Sequence, residues 1–143
     1  MQRILASYCR SGGNLLVSGA YVGSDMDNSQ GNRDFIQNIL KYRYGNSLKT
    51  DGDKIAVQGL GRTFTLPRLP NEQDYPVTSP DCILPMSPAF PVMTYATGNA
   101  SAAVAYQGSD YRTFIMGFPF ESIREETSRN AIMASILRFL TTD

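Results

Sequence analysis

Residues 14–25 read Asn-Leu-Leu-Val-Ser-Gly-Ala-Tyr-Val-Gly-Ser-Asp, and this stretch restricts the fold more than any other. Leu15, Leu16 and Val17 form a short apolar run that meets a Gly-x-x-x-Gly turn at Gly19 and Gly23. Asp25 and Asp27 stand ready to cap the helical pattern that begins near Arg33. A buried strand, a tight turn and a helix are the parts from which open α/β sheets build a site at the strand's carboxyl end. Tyr21 occupies the apex of the turn, where a nucleophile elbow carries Ser or Cys. The pattern therefore has an enzyme's framework without the enzyme's nucleophile.

The rest of the chain supplies the layers. Ile4, Leu5 and Tyr8 have helical spacing, and Gly12-Gly13 stops that helix. The run 15–20 does not alternate, which predicts a strand buried on both faces. Residues 24–31 are Ser, Asp, Met, Asn, Gln and Gly and read as loop. Phe35, Ile36, Ile39, Leu40 and Tyr44 predict a helix closed by Gly45, and 46–53 reads as a polar turn. Strands are expected at 54–58, 62–66, 92–95, 102–106 and 113–118, with turns at Gly98-Asn99 and at Gly108-Ser109-Asp110.

Pro67, Pro70, Pro76, Pro80, Pro85, Pro88 and Pro91 forbid a long helix or a central strand between them. An ordered surface excursion is expected there, anchored by Tyr75, Val77, Ile83, Leu84 and Phe90. Residues 121–140 predict an amphipathic helix with Ile123, Ile132, Ile136, Phe139 and Leu140 toward the sheet. At 143 residues the chain forms one domain. Met1 leads straight into the first helical pattern, which suggests an excised domain of a larger protein.

Composition removes several function classes. Lys+Arg and Asp+Glu both number 13, and no basic run exists, which argues against nucleic acid as a partner. No apolar run approaches the roughly 20 residues of a membrane span. The chain has no His, so Ser-His and Cys-His catalysis, His-ligated zinc and the commonest general base are all absent. Cys9 and Cys82, two widely spaced cysteines, read as free thiols. No cofactor and no metal site is indicated.

The second motif is Phe114-Ile-Met-Gly-Phe-Pro-Phe-Glu121, a strand running into a turn ahead of a helix ending Ile136-Leu-Arg-Phe-Leu140. With the elbow at Tyr21, this order and spacing resembles class I glutamine amidotransferase-like domains. Those domains carry Gly-x-Cys-x-Gly, then Gln-Phe-His-Pro-Glu, then a closing helix. Tyr21 falls on the Cys position and Pro119 on the His position, so the resemblance implies a domain whose catalytic positions are degenerate. The strings at 12–21 and 117–123 also resemble the C-terminal part of bacterial xanthan-lyase-like proteins.

The resemblance implies a three-layer, flavodoxin-like α/β sheet with flanking helices, incomplete at its N-terminus. It implies neighbouring domains in an exported, periplasmic or extracellular parent. A sheet lacking its first strands would expose an edge, which a homodimer would cover.

The candidate crevice is Tyr21, Ser24, Asp25 and Glu121, with no catalytic residue assigned. Asp25, Asp27 and Glu121 would converge as a cation or sugar-hydroxyl site, or serve as helix caps and dipole partners. A hydrolase using Ser18 or Ser24 would need a base other than His, and the lysines are remote in sequence. Tyr is the main aromatic and Trp is absent, which weakens a lectin reading. Asn99-Ala-Ser101 matches a glycosylation sequon of the kind expected by chance. Two readings stand: a non-catalytic structural or interaction domain, and a carbohydrate-active role as lyase or glycan-binding accessory with polysaccharide as partner.

Overall fold

The computed structural model describes residues 1–71 and 76–142. Helix α1 (Gln2–Arg10) ends at Gly12, whose φ of +97° is open to glycine and strained for other residues. Strand β1 (Leu15–Ser18) follows. After a 3₁₀ turn at Ser24–Met26 comes α2 (Gln30–Phe35), which runs into a wider helical turn over Ile36–Leu40. Its cap is Ser29, whose side chain accepts the Asn32 amide. Asp27, expected as a cap, instead pairs with Arg33 at 3.0 Å.

Among the described residues, seven strands, two short 3₁₀ turns and one helix follow. The strands and the helix are β2 (Tyr42–Ser47), β3 (Lys54–Gly59), β4 (Arg62–Pro67), β5 (Asp81–Pro85), β6 (Phe90–Tyr95), β7 (Ser101–Gln107), β8 (Arg112–Met116) and α3 (Glu126–Thr141).

Six strands form one sheet in the order β1-β8-β7-β6-β3-β4, and β2 pairs with β5 in a second, two-stranded sheet. Only β1 and β8 run parallel; every other pairing is antiparallel. The expected three-layer flavodoxin-like sheet of a class I glutamine amidotransferase-like domain is therefore corrected. Parallel strands need a crossover of a dozen or more residues. Here β6, β7 and β8 follow one another through tight turns at 96–100 and 108–111, too short for any crossover helix. A mixed, mostly antiparallel sheet with few helices results.

Period-two alternation along the central strands sorts the core. Phe114 and Met116 of β8 join Ala103 and Ala105 of β7 against Ile132, Ile136 and Leu140 of α3. Ile115 and Val104 point the other way, into a cluster with Ala6 and Cys9 of α1 and Phe35, Ile36 and Leu40. Strand β7 is short-chained and fully buried over Ser101, Ala102, Ala103, Val104 and Ala105, which lets elements approach from both faces.

Several sequence expectations fail locally. Strand β1, expected over 15–20 and buried on both faces, spans Leu15–Ser18 and is at most half-buried. The last helix begins at Glu126 rather than at 121. The helix expected through Tyr44 stops at Leu40, because Lys41 adopts a left-handed φ of +67°. Tyr42 to Ser47 then extends as a strand, where a polar turn was expected from residue 46. The proline-rich segment contributes β5, whose Cys82 and Ile83 are fully buried, rather than a surface excursion alone. Phe90 is exposed and meets Phe139 edge-on at 6.4 Å, and Tyr75 lies outside the described residues.

Candidate functional site

The parallel pair β1–β8 is where two neighbouring strands end on the same side, with Ser18 in register with Met116. The chain turns after each: Gly19 donates its amide to the Met116 carbonyl at 3.3 Å, and the Phe120 amide reaches Ser18 Oγ at 3.4 Å. The turns carrying Tyr21 and Pro119 are thus neighbours.

Asp81, at the start of β5, ties them together. Its amide donates to the carbonyls of both Ala20 and Gly117, at 3.1 and 3.0 Å. Its Oδ2 accepts the Gly23 amide at 2.8 Å, the Ser24 amide at 2.7 Å and the Ser24 hydroxyl at 3.1 Å. Its carbonyl accepts the Tyr95 hydroxyl at 2.9 Å. Gly117 is required here, since a Cβ at that position would lie 2.3 Å from the Asp81 carbonyl oxygen.

Asp81 is fully buried, and its Oδ1 has no partner among the described residues. Burial pushes its carboxyl above the usual carboxylate value. The Ser24 and Gly23 hydrogen bonds oppose this, and the charge of Asp25 adds to it. Tyr42, which donates to the Val22 carbonyl at 2.7 Å, is also raised, first by burial and then by the Asp81 charge.

Sequence reasoning missed Asp81. The available signal was an acid between Pro80 and the apolar run Cys82-Ile83-Leu84, a position where a strand begins and a lone carboxylate must be satisfied.

A cavity of about 420 Å³ opens beside these turns. Val17, Tyr21, Val22, Met26, Phe35 and Tyr42 give it an apolar wall, and among the described residues Asp25 is the one carboxylate on its lining. Tyr21 and Asp25, both exposed, line it together. Ser24 turns inward to Asp81, Pro119 is buried away from the cavity, and the exposed Glu121 does not line it.

The chemistry available is narrow. Glycoside cleavage uses two carboxyl groups flanking one bond, about 5–9.5 Å apart. Here Asp25 stands alone on the cavity wall, and Asp81 is buried with its charge directed at backbone amides. Among the described residues, no group of three or more His, Cys, Asp or Glu could hold a metal ion. Cys9 and Cys82 are free and buried, and burial raises both thiols, so neither is a ready nucleophile.

No family model matches the chain, and no curated protein matches it. Solved structures do. Gan42B, a GH42 β-galactosidase from G. stearothermophilus, superposes with a TM-score of 0.67 at 12% identity, over 96% of this chain and 19% of that one. The exo-β-1,4-mannosidase Op5Man5 from Opitutaceae bacterium strain TAV5 gives 0.62 at 12%, over 99% and 23%. The cytoplasmic protein STM3548 from Salmonella typhimurium gives 0.55 at 17%, over 97% and 59%.

The chain shares its fold with a region of these galactosidase and mannosidase structures and with STM3548. The chain spans about a fifth of the length of these enzymes, and at such identities the likeness is one of fold. The expected kinship with class I glutamine amidotransferase-like domains and with xanthan-lyase-like proteins is overturned: the neighbours are galactosidase and mannosidase structures. Tyr21 and Pro119 consequently lose their standing as degenerate catalytic positions and are read by their surroundings alone.

Proposed function

We propose that the chain is a non-catalytic accessory domain of a larger carbohydrate-processing protein. The observation that carries this reading is the cavity at the ends of β1 and β8, which is apolar apart from a single carboxylate at Asp25. A chain without His, whose other nearby acid is locked to backbone amides, has no acid–base pair to offer there. The glycoside hydrolase setting of the fold supports the carbohydrate context.

The role is then mechanical: the domain offers surfaces to neighbouring domains. A second reading, a glycan-binding accessory, is favoured by one feature, the exposed ring of Tyr21 beside Asp25 at the cavity. An aromatic face packs against the apolar side of a sugar ring, and a carboxylate accepts its hydroxyls.

The test has two parts. Hydrolysis of nitrophenyl β-galactoside and β-mannoside by the purified chain is expected to equal the buffer rate. Turnover that Asp25→Asn abolishes would overturn the proposal. Calorimetric titration with galacto- and manno-oligosaccharides separates the two readings. Saturable binding lost in Tyr21→Ala selects the glycan-binding form, and no heat of binding selects the mechanical one.

A further inference from the structure

The two edges of the six-stranded sheet are finished in opposite ways. At the β4 edge, Glu125 accepts the Thr65 amide at 3.1 Å and the Thr65 hydroxyl at 2.6 Å. The Arg124 amide donates to the Thr65 carbonyl at 3.0 Å. Arg62 and Pro67 stand at the ends of the same strand. A covering loop, a charge and a proline are the means by which proteins close an edge to other strands.

At the β1 edge none of these is present. Leu15–Ser18 has no charge and no proline, and it pairs in register with β8 alone.

The direction of the open groups follows from the ladder. The Gly19 amide points at the Met116 carbonyl, so by alternation the backbone of Val17 and Leu15 also faces β8. The amide and carbonyl of Leu16 and of Ser18 therefore point away from the sheet. The carbonyl of Asn14 belongs to the same outward set, and the Tyr8 hydroxyl already donates to it at 3.2 Å. Among the described residues, nothing pairs with the other four backbone groups.

Around them the surface is apolar. Leu15, Leu16 and Val17 are only half-buried. Of the seven exposed large hydrophobics among the described residues, Ile4 and Tyr8 lie on α1, Met1 just before it and Tyr21 in the turn after β1. Leu5, Val17 and Tyr21 line one cavity, so helix, edge and turn are one continuous surface.

We propose that this edge joins two copies of the chain, β1 against β1, antiparallel about a two-fold axis through Val17. In that register Leu16 of each copy faces Ser18 of the other as a hydrogen-bonded pair. Each pair exchanges two bonds, and the two pairs use all four open groups of both copies. Val17 meets its counterpart in the closer, non-bonded position between them.

The occupant is a second copy because the edge is complementary to itself, as a two-fold interface requires. No charge on β1 opposes the pairing, and the formal net charge of the chain is zero, so the copies do not repel. The contact fuses two sheets into one and leaves α3 and the covered β4 edge untouched. It does not depend on the carbohydrate reading.

Sedimentation velocity of the full chain across the micromolar range is expected to show a concentration-dependent doubling of molar mass. Ser18→Pro removes one outward amide and the long, exposed contact of Ser18 Oγ with the Phe120 amide, but no bond of the β8 ladder, and is expected to leave a monomer with an unchanged circular dichroism spectrum. Ser18→Lys keeps that amide but adds like charges at the edge, and is expected to weaken the dimer about tenfold or more. Amide exchange gives a readout that needs no variant. The Leu16 and Ser18 amides should gain protection as concentration rises, while the Val17 amide stays protected throughout.

A chain that remains monomeric at about 1 mM, the level of a very weak complex, would overturn the proposal. So would a dimer indifferent to both Ser18 variants. A monomer whose Leu16 amide is protected at every concentration would mean that the chain covers its own edge, and would overturn it equally.

Discussion

Replacing Asp81 by Ala removes the acceptor that holds the turn after β1. Two backbone amides lose their partner: that of Gly23, which is buried, and that of Ser24, which is partly so. An orphaned buried donor costs about 1–3 kcal/mol. The Ser24 hydroxyl can turn to water and adds little. Removing a buried carboxylate returns part of the loss, which leaves a net destabilisation of about 3 kcal/mol against a total of about 5–15 kcal/mol for a domain. With a urea slope of about 2 kcal/mol/M, the unfolding midpoint should fall by about 1.5 M.

Asp81→Asn separates charge from geometry, since an amide oxygen can still accept both donors. The native state raises the Asp81 carboxyl above its unfolded value, chiefly by burial, so it holds that proton more tightly than the unfolded chain does. The stabilisation tied to this group is therefore complete below the unfolded pKa and is lost as pH rises through the native one. Relative to wild type, Asp81→Asn should accordingly gain stability between about pH 4 and neutrality. Taking the variant against wild type at each pH isolates this group from other titrations. Unfolding of Asp81→Ala within about 0.5 kcal/mol of wild type would refute the reasoning, and so would an Asn variant that loses ground as pH rises.

Three further outcomes follow from single contacts. Gly117→Ala drives a methyl to 2.3 Å from the Asp81 carbonyl oxygen, backbone against backbone, and should lower stability by about 3 kcal/mol or abolish folding; an unchanged thermal midpoint would contradict the close approach. Tyr42→Phe deletes the bond to the Val22 carbonyl in a buried setting and should cost about 1 kcal/mol in denaturant unfolding, with no change counting against that bond. Burial raises the Glu125 carboxyl, but its bonds from Thr65 outweigh this and hold it below the ordinary value, so its contribution is present above the unfolded pKa and lost on acidification. The stability difference between wild type and Glu125→Gln should shrink as pH falls, the reverse of Asp81; a difference that grows on acidification would show that Thr65 does not hold the carboxylate.

Much of the sheet was legible because period and turn chemistry spoke locally. Arg62-Thr-Phe-Thr-Leu66 alternates, and Gly98 and Gly108-Ser109-Asp110 mark where β6, β7 and β8 reverse. The parallel partner of β1 was legible only as a motif at each end, since residues 15–18 and 113–116 meet across most of the chain. The strand order was not, because hairpins and crossovers differ in connection length, and the resemblance drawn from two short motifs overrode the lengths in plain view. The Phe35 pattern overshoots its helix because Tyr44 continues its spacing, while the break depends on the backbone of Lys41 alone. Of the candidate site, Tyr21 and Asp25 were visible as a turn. Asp81 was not, because its role is to satisfy amides that are more than fifty residues away in sequence.

The position of Asp81 also bears on what this cavity presents to a partner. A parallel pair opens a crevice where its two chains turn apart, and open sheets place their sites there. Those turns expose amides that, elsewhere, face a substrate's anion or oxyanion. Here the amides of Gly23 and Ser24 are already taken by a carboxylate of the chain itself, and the Gly117 carbonyl by the Asp81 amide. The polar capacity of the crevice is thus used inward, to fasten β5 to the sheet, and apolar side chains are what remains facing out. A wall of that kind gains free energy by removing a partner's apolar surface from water.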